Sequence, residues 1–260
     1  MKIVDLADEH REIFSLCLED WSSEAREAGP RRACWVTRFL ERGLRAKLAI
    51  DDHGVVGGMI QFLPVEQSWV DGEGLYFIPC IWVHGHKQGR GDFRGRGMGS
   101  ALLEAAEADA RQMGAKGMAA WGLWIPVWMK ASWFKKHGYK KADRQGLAVL
   151  LWKPFASDAR PPQWIKQASR PPGNVPGKVT VTAFVNGWCM ACNLTAERAR
   201  RAALELGDGV AYREIDTSEP EQARRHGTCD AVFIDGRSVR TGPPLGYEKM
   251  RKLIKKRIER

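Results

Sequence analysis

No apolar run in the 260-residue chain approaches the roughly 20 residues that a membrane-spanning helix needs, so a membrane protein is not expected. No secretory leader is expected either, since Met1-Lys2-Ile3-Val4-Asp5 runs straight into acidic residues, and a cytoplasmic location is the expectation. Cysteine is sparse. Of Cys17, Cys34, Cys80, Cys189, Cys192 and Cys229, only Cys189 and Cys192 lie close together, which excludes a disulfide scaffold. Nor is charge concentrated. Residues 178–260 hold 16 Lys and Arg against 11 Asp and Glu, a balance of +5, and the total of +10 leaves +5 for the first 177 residues. A nucleic-acid-binding protein would gather that excess on one element, so no nucleic-acid partner is expected. Spread basic surface suits a small phosphate-bearing ligand. There are no repeats, and the length suggests two domains.

The joint between them is rich in proline. Residues 154–177 read PFASDARPPQWIKQASRPPGNVPG, which can be neither a helix interior nor a central strand. The expected division is a domain over residues 1–153, this linker, and a second domain over residues 178–260, with Trp164 and Ile165 pinning the middle of the linker. The first domain reads as α+β. Strands are expected at Lys2–Leu6, Arg45–Asp51, Val55–Leu63, Gly74–His84 and Gly117–Leu123, with a closing pair over Tyr139–Trp152. Helices are expected at Glu9–Asp20, Arg31–Arg42, Ser100–Met113 and Val127–His137. Gly74–His84 is nearly all apolar and therefore expected at the centre of the sheet. The second domain reads as βαβαββα: Lys178–Val185, Leu194–Leu206, Val210–Ile215, Pro220–His226, Ala231–Ile234, Ser238–Thr241 and Gly246–Ile258.

The strongest local signal is Arg94-Gly95-Arg96-Gly97-Met98-Gly99-Ser100. Glycines alternate here between a strand and a good helix sequence. Main-chain amides can converge on an anion at such a turn, and the helix N-terminus adds positive potential. A Rossmann fingerprint would need an acidic residue about 20 positions on. None stands there, where the strand reads Gly117-Met118-Ala119-Ala120-Trp121. The segment instead resembles the Arg/Gln-x-x-Gly-x-Gly/Ala signature of the GNAT superfamily of N-acetyltransferases. The order of elements over residues 1–153 and Trp133-Phe134-Lys135-Lys136-His137-Gly138-Tyr139 strengthen the likeness.

The resemblance implies a mixed, mostly antiparallel, splayed sheet with flanking helices, and acetyl-CoA as cofactor. It assigns cofactor contacts to Ile81, Trp82 and Val83 on the splayed strand, to Arg94, Gly95, Arg96, Gly97, Met98, Gly99 and Ser100 in the turn, and to Phe134. It also implies direct attack of a neutral amine on the thioester, the oxyanion being held by a strand amide. The base candidates are Glu66, Glu73 and His84. The family's usual acid is a tyrosine where this chain has Phe134, so either the CoA thiolate leaves unassisted, another hydroxyl such as Tyr139 or Tyr76 substitutes, or turnover is weak. The stretch 84–92 reads as a mobile loop, and Trp124 and Trp128, flanking Pro126, are expected to wall the acceptor pocket. The acceptor is a small-molecule or protein amine, and a homodimer is possible in this superfamily.

Gly187-Trp188-Cys189-Met190-Ala191-Cys192 follows a strand and opens a helix, a setting that favours a reactive thiolate. With its element order, the second domain resembles a small thioredoxin-like α/β domain, and the combination resembles the YoaP-type acetyltransferases. Thr228-Cys229-Asp230 stands where thioredoxins carry a cis-proline. Three readings stay open: a redox pair Cys189/Cys192, a soft-metal site of Cys189, Cys192 and Cys229, and an inert docking fold. The leading expectation is an acetyl-CoA-dependent N-acetyltransferase coupled to a thiol module. The alternative is a thiol or soft-metal protein whose first domain binds acyl-CoA without efficient turnover.

Overall fold

The computed structural model describes residues 1–125, 127–165, 171–239 and 242–259. In chain order the first elements are β1 (Lys2–Asp5), α1 (Arg11–Ser15), α2 (Ser23–Glu27), α3 (Arg31–Leu40), β2 (Arg45–Ile50), β3 (Val56–Pro64) and β4 (Val70–Asp71). There follow β5 (Leu75–Val83), α4 (Met98–Gln112), β6 (Gly117–Leu123), α5 (Ala131–Lys136), β7 (Lys140–Gln145), β8 (Ala148–Pro154) and β9 (Gln163–Trp164). The remainder comprises β10 (Val179–Val185), α6 (Met190–Glu205), β11 (Val210–Asp216), α7 (Pro220–His226), β12 (Ala231–Ile234), β13 (Arg237–Ser238) and α8 (Tyr247–Ile258). They form two compact units: Met1–Trp21 with Val36–Ile165, and Ser22–Trp35 with Lys166–Arg260.

The first unit is built on a seven-stranded sheet in the order β1-β2-β3-β5-β6-β8-β7. All its pairings are antiparallel except β5 with β6. β5 takes the middle position that its apolar sequence demands, and α4 packs Leu102, Leu103, Ala106 and Ala110 into the core beside it. The β2–β3 turn is made by Asp51, whose carboxylate accepts the amides of His53 and Val55 at 3.0 and 2.9 Å.

Two expected helices are shorter than their sequence patterns. Glu9–Asp20 ends at Ser15, because Cys17 and Leu18 take left-handed backbone (φ 53° and 63°) that turns Leu18 fully into the core. Val127–His137 starts only at Ala131. Ahead of it the chain presses on Gly122, where a Cβ would lie 2.7 Å from Met129 O and Ala131 N, and the Leu123 amide donates to Met129. Within the expected linker, Gln163–Trp164 pairs with β4 and buries Trp164. Lys166–Arg170 of the linker, and Arg240 and Thr241 of the expected strand Ser238–Thr241, lie outside the described residues.

In the second unit β10 is central, parallel to β11 and antiparallel to β12, giving the order β11-β10-β12-β13. α6 and α8 pack on it around Val181, Ala183, Ala199, Met250 and Ile254. The boundary expected at residue 178 misses the segment Ser22–Trp35, which groups here through charge. Arg198 of α6 is almost wholly buried and pairs with Glu24 and Glu27 at 2.9 and 2.8 Å. Arg31 pairs with Glu214 and Glu197. A buried guanidinium with carboxylate partners costs far less than one left bare, which fixes the segment in place.

The core of the first unit also encloses a carboxylate. Glu107 on α4 is 5 % exposed and accepts from Lys153 at 2.7 and 3.0 Å and from Arg111 at 3.4 Å. Glu107→Ala is expected to lower stability by on the order of 2–3 kcal/mol, below the full buried-pair range because Lys153 retains some access to water. Thermal and urea unfolding of the variant beside wild type will measure this.

Candidate functional site

β5 stays paired with β3 as far as Val83, but its parallel pairing with β6 stops at Ile78↔Ala120. The next residue is Pro79, which has no amide hydrogen to donate and cannot continue a ladder. The register against β3 also shifts in this region, between Gln61 and Leu63. Trp121 of β6 covers the break, its indole N–H donating to Pro79 O at 2.8 Å. Beyond it the β5–β6 ladder does not resume, and Ile81–Val83 keep β3 as their strand partner. Ile81, Trp82 and Val83 lie in this stretch and are partly exposed, as a ligand-binding strand edge requires.

The glycine turn adjoins the open end. Gly97 caps α4 with a left-handed backbone (φ 80°), a conformation that strains any side-chain-bearing residue. A Cβ on Gly99 would lie 3.4 Å from Trp133 and 3.7 Å from Val83, so the turn sits between α5 and the splayed strand. Phe93 and Met98 anchor it in the core, and both reach over Gly57 of β3. Arg96 lies 5.0 Å from the Phe93 ring centre. Arg94 makes a two-pronged contact with Asp92 at 2.9 and 2.6 Å, and its guanidinium holds that carboxyl well below the usual carboxylate range.

Ser100, in the first turn of α4, donates to His137 Nε2 at 2.9 Å, while His137 Nδ1 donates to Trp133 O at 2.9 Å. The carbonyl can only accept, so the proton sits on Nδ1 and Nε2 is free to receive the hydroxyl. Trp133 and His137 belong to the motif 133–139, but no contact of theirs with the turn was expected. The Ser100–His137 bond spans 37 residues and leaves no local trace.

The expected acid–base groups are either enclosed or at the other end of β5. His84 is fully buried. Its Nε2 accepts from Trp21 at 3.3 Å, so Nδ1 carries the proton and donates to Gly91 O at 2.7 Å; neither nitrogen is free to act as a base. Glu73 precedes β5 at its other end, roughly 20 Å of strand away from Pro79. Glu66 accepts from the Gly74 amide at that same end, where Tyr76 also lies. Tyr139 is 2 % exposed in the core, and burial pushes its phenol well above the ordinary range, with Glu107 adding to the effect. Phe134 is wholly enclosed, between Trp133 and Tyr139, so the indole rather than the phenyl ring faces the turn.

The stretch 84–92, expected to be mobile, is tied down. Gly85 bridges to Asp92, the Phe93 amide donates to His84 O, and Arg90 forks onto Asp20 at 3.0 and 2.9 Å. Trp124 and Trp128 are both exposed but keep different company. Trp128 meets Trp121 edge to face, while Trp124 lies beneath Lys135 and Arg144. Pro126 between them lies outside the described residues.

In the second unit Cys189 caps α6 and Cys192 occupies its first turn. The Cys192 thiol donates to Cys189 and pulls that thiol's pKa down, aided by the amides of Cys192 and Ala191 and by the charge of Arg32. The Cys192 thiol is correspondingly pushed up by that bond and by burial. Asp230 accepts from the Asn186 amide at 3.1 Å and the Trp188 indole at 2.6 Å. Burial, together with the nearby Cys189 charge, pushes the Asp230 carboxyl up to about 8. Burial likewise raises the thiol of Cys229. Among the described residues no group of three His, Cys, Asp or Glu is placed to hold a metal ion.

Gly57 offers a direct test of the turn's support. A Cβ there would lie 2.6 Å from the Phe93 ring and 2.9 Å from the Met98 sulfur. Gly57→Ala should cost about 1–3 kcal/mol by overpacking and displace the turn. The expected readout is a lower melting temperature in thermal unfolding beside wild type.

Residues 5–124 match the model of the acetyltransferase (GNAT) family. No curated protein matches the sequence significantly. Among solved structures, a GNAT-family acetyltransferase from Brucella melitensis in complex with acetyl-CoA is similar, at 19% identity over 61% of this chain and 90% of that one, with a TM-score of 0.41. The N-acetyltransferase YhbS of Escherichia coli in complex with CoA is 16% identical over 63% of this chain and 88% of its own, at 0.43. The PaiA N-acetyltransferase of Thermoplasma acidophilum, in complex with coenzyme A, is 15% identical over 60% and 100%, at 0.43. Among the described residues no helix is long and apolar enough to cross a membrane. The family match takes in the glycine turn and the strands β5 and β6.

Proposed function

We propose that the chain is an acetyl-CoA-dependent N-acetyltransferase. The observation that carries this reading is the gap opened past Ile78↔Ala120 beside the Gly97-capped turn, within the segment that matches the family. The amides of the turn and the α4 N-terminus receive the pyrophosphate, with Arg94 and Arg96 adding charge. The pantetheine arm lies along the β6-side edge of Ile81–Val83 and hydrogen-bonds to it. An amide of that edge holds the tetrahedral oxyanion when the acceptor amine attacks the thioester carbon. The amine's proton is lost to solvent, and the electron pair of the broken C–S bond leaves on the CoA sulfur. Trp128, exposed beside Trp121, remains a candidate wall for the acceptor.

The second unit we read as a thioredoxin-like thiol module, with Cys189 the nucleophile and Cys192 its partner. Its sheet order and the position of Cys189 at a helix N-terminus support this. A second reading has the chain act chiefly as a thiol protein that binds acyl-CoA without efficient turnover. It is favoured by the enclosure of His84 and Tyr139.

The test is incubation of the full chain with acetyl-CoA and a panel of small amines and lysine peptides, with products read by mass. Acetylated product supports the first reading. Tight CoA binding with no acetylated product supports the second. Because the named base candidates are engaged or distant, kcat/KM is expected to rise with pH along the free-amine fraction of the acceptor, with its midpoint at the amine's own pKa. A midpoint near 6.5 that does not move when the amine is changed would instead reveal a histidine base.

A further inference from the structure

The thiol site has a neighbour that comes from far away in the sequence. Arg32, in the first turns of α3, is 2 % exposed, and its guanidinium donates to the carbonyl of Trp188, the residue before Cys189. Trp35, one turn on and also buried, lies against Gly187, where a Cβ would be 2.9 Å from the Trp35 Cβ. The motif turn Gly187–Cys189 is therefore packed and hydrogen-bonded by the segment Ser22–Trp35. Glu24, Glu27 and Arg31 secure that segment independently through their pairs with Arg198, Arg201, Glu197 and Glu214.

We propose that Arg32 belongs to the thiol site as a positioning residue, fixing the Trp188–Cys189 turn and setting a positive charge beside the Cys189 sulfur. The inference rests on the thiol reading of Cys189 and Cys192 given above. Four groups act on the sulfur or its surroundings. Cys192 on α6 donates to it, Cys229 and Asp230 stand before β12, and Arg32 is the one cation among them. Asp230 opposes a thiolate once it loses its own proton, so the charge balance leans on Arg32 more heavily as pH rises. A guanidinium suits the position. It remains charged at every relevant pH, and its planar fork can hold a carbonyl while the charge acts through space. The arrangement makes the site composite, since the segment 178–260 contains the cysteines but not this cation.

The experiment uses the full chain and follows iodoacetamide labelling of Cys189 against pH, with the site assigned by mass spectrometry. Wild type is expected to titrate below the ordinary thiol value of about 8.5. Arg32→Gln should raise the midpoint by about one pH unit, seen as a roughly tenfold slower labelling rate on the acid side. Arg31→Gln removes a neighbouring guanidinium that faces Glu214 and Glu197, and should leave the midpoint unchanged. Far-ultraviolet circular dichroism checks folding. Should Arg32→Gln not fold, Arg32→Lys carries the test, since it retains charge but not the fork and should shift the midpoint upward by less. An unchanged midpoint in the folded Arg32 variant, or an equal shift in Arg31→Gln, overturns the role of Arg32. An ordinary midpoint in wild type overturns the thiol reading beneath it.

Discussion

A strand buried in mid-sheet offers a ligand nothing until it stops pairing with one neighbour, and Pro79 imposes that stop. Its missing amide hydrogen ends the β5–β6 ladder after Ile78↔Ala120 without unfolding either strand. β5 keeps its other edge on β3, and β6 keeps its partner β8 as far as Leu123. The opening is thus a local loss of hydrogen bonds inside a rigid sheet. On the proposed reading such a gap is shaped before the coenzyme arrives, so little ordering cost attends binding. The Trp121 indole on Pro79 O supplies one of the bonds that the ladder forgoes. The glycine turn depends on the same geometry, since Gly99 lies between Val83 at the end of the opened strand and Trp133 of α5.

Much of this was legible in the sequence, for physical reasons. The apolar run at 74–84 could satisfy its side chains only in mid-sheet, and the alternating glycines marked the turn that leads into α4. β6, α7 and β12 have the bounds that their sequences indicate. What the sequence hid was decided by contacts between distant residues. His84 looks like a base at a strand end until Trp21 and Gly91 are seen to occupy both nitrogens. Tyr139 looks like a replacement acid until the core closes over it. The helix expected from Val127 loses its first turn to a main-chain approach that only Gly122 permits. In each case the local pattern was satisfied by more than one environment, and tertiary packing chose.

The same lesson holds more sharply for Ser22–Trp35. Nothing in its composition separates it from its neighbours, and α2 was not expected at all. Its place in the second unit follows from pairing Glu24 and Glu27 with Arg198, a residue about 170 positions later and 4 % exposed. A guanidinium so enclosed on α6 demands carboxylates, and α6 itself does not supply them there. The charge pattern of α6 could have signalled a missing partner, since Arg198, Arg200 and Arg201 crowd around the single acid Glu197. It could not have said which segment answers.

On the proposed reading, the enclosure of the expected acid and base shifts the chemical burden onto position and onto the reactants. General acid–base catalysis contributes typically 10²–10⁴-fold, and its absence would be severe for a reaction that expels an alkoxide. A thioester differs. Its leaving group is a thiolate of an ordinary thiol, with a pKa near 8.5, which departs near neutrality without first taking a proton. The amine is the harder partner, because only its unprotonated fraction can attack. Binding in an apolar, tryptophan-lined mouth would raise that fraction by disfavouring the ammonium. A gap that fixes the thioester and a wall that desolvates the amine can therefore replace the missing side chains, which makes the acceptor's own basicity the quantity that governs turnover.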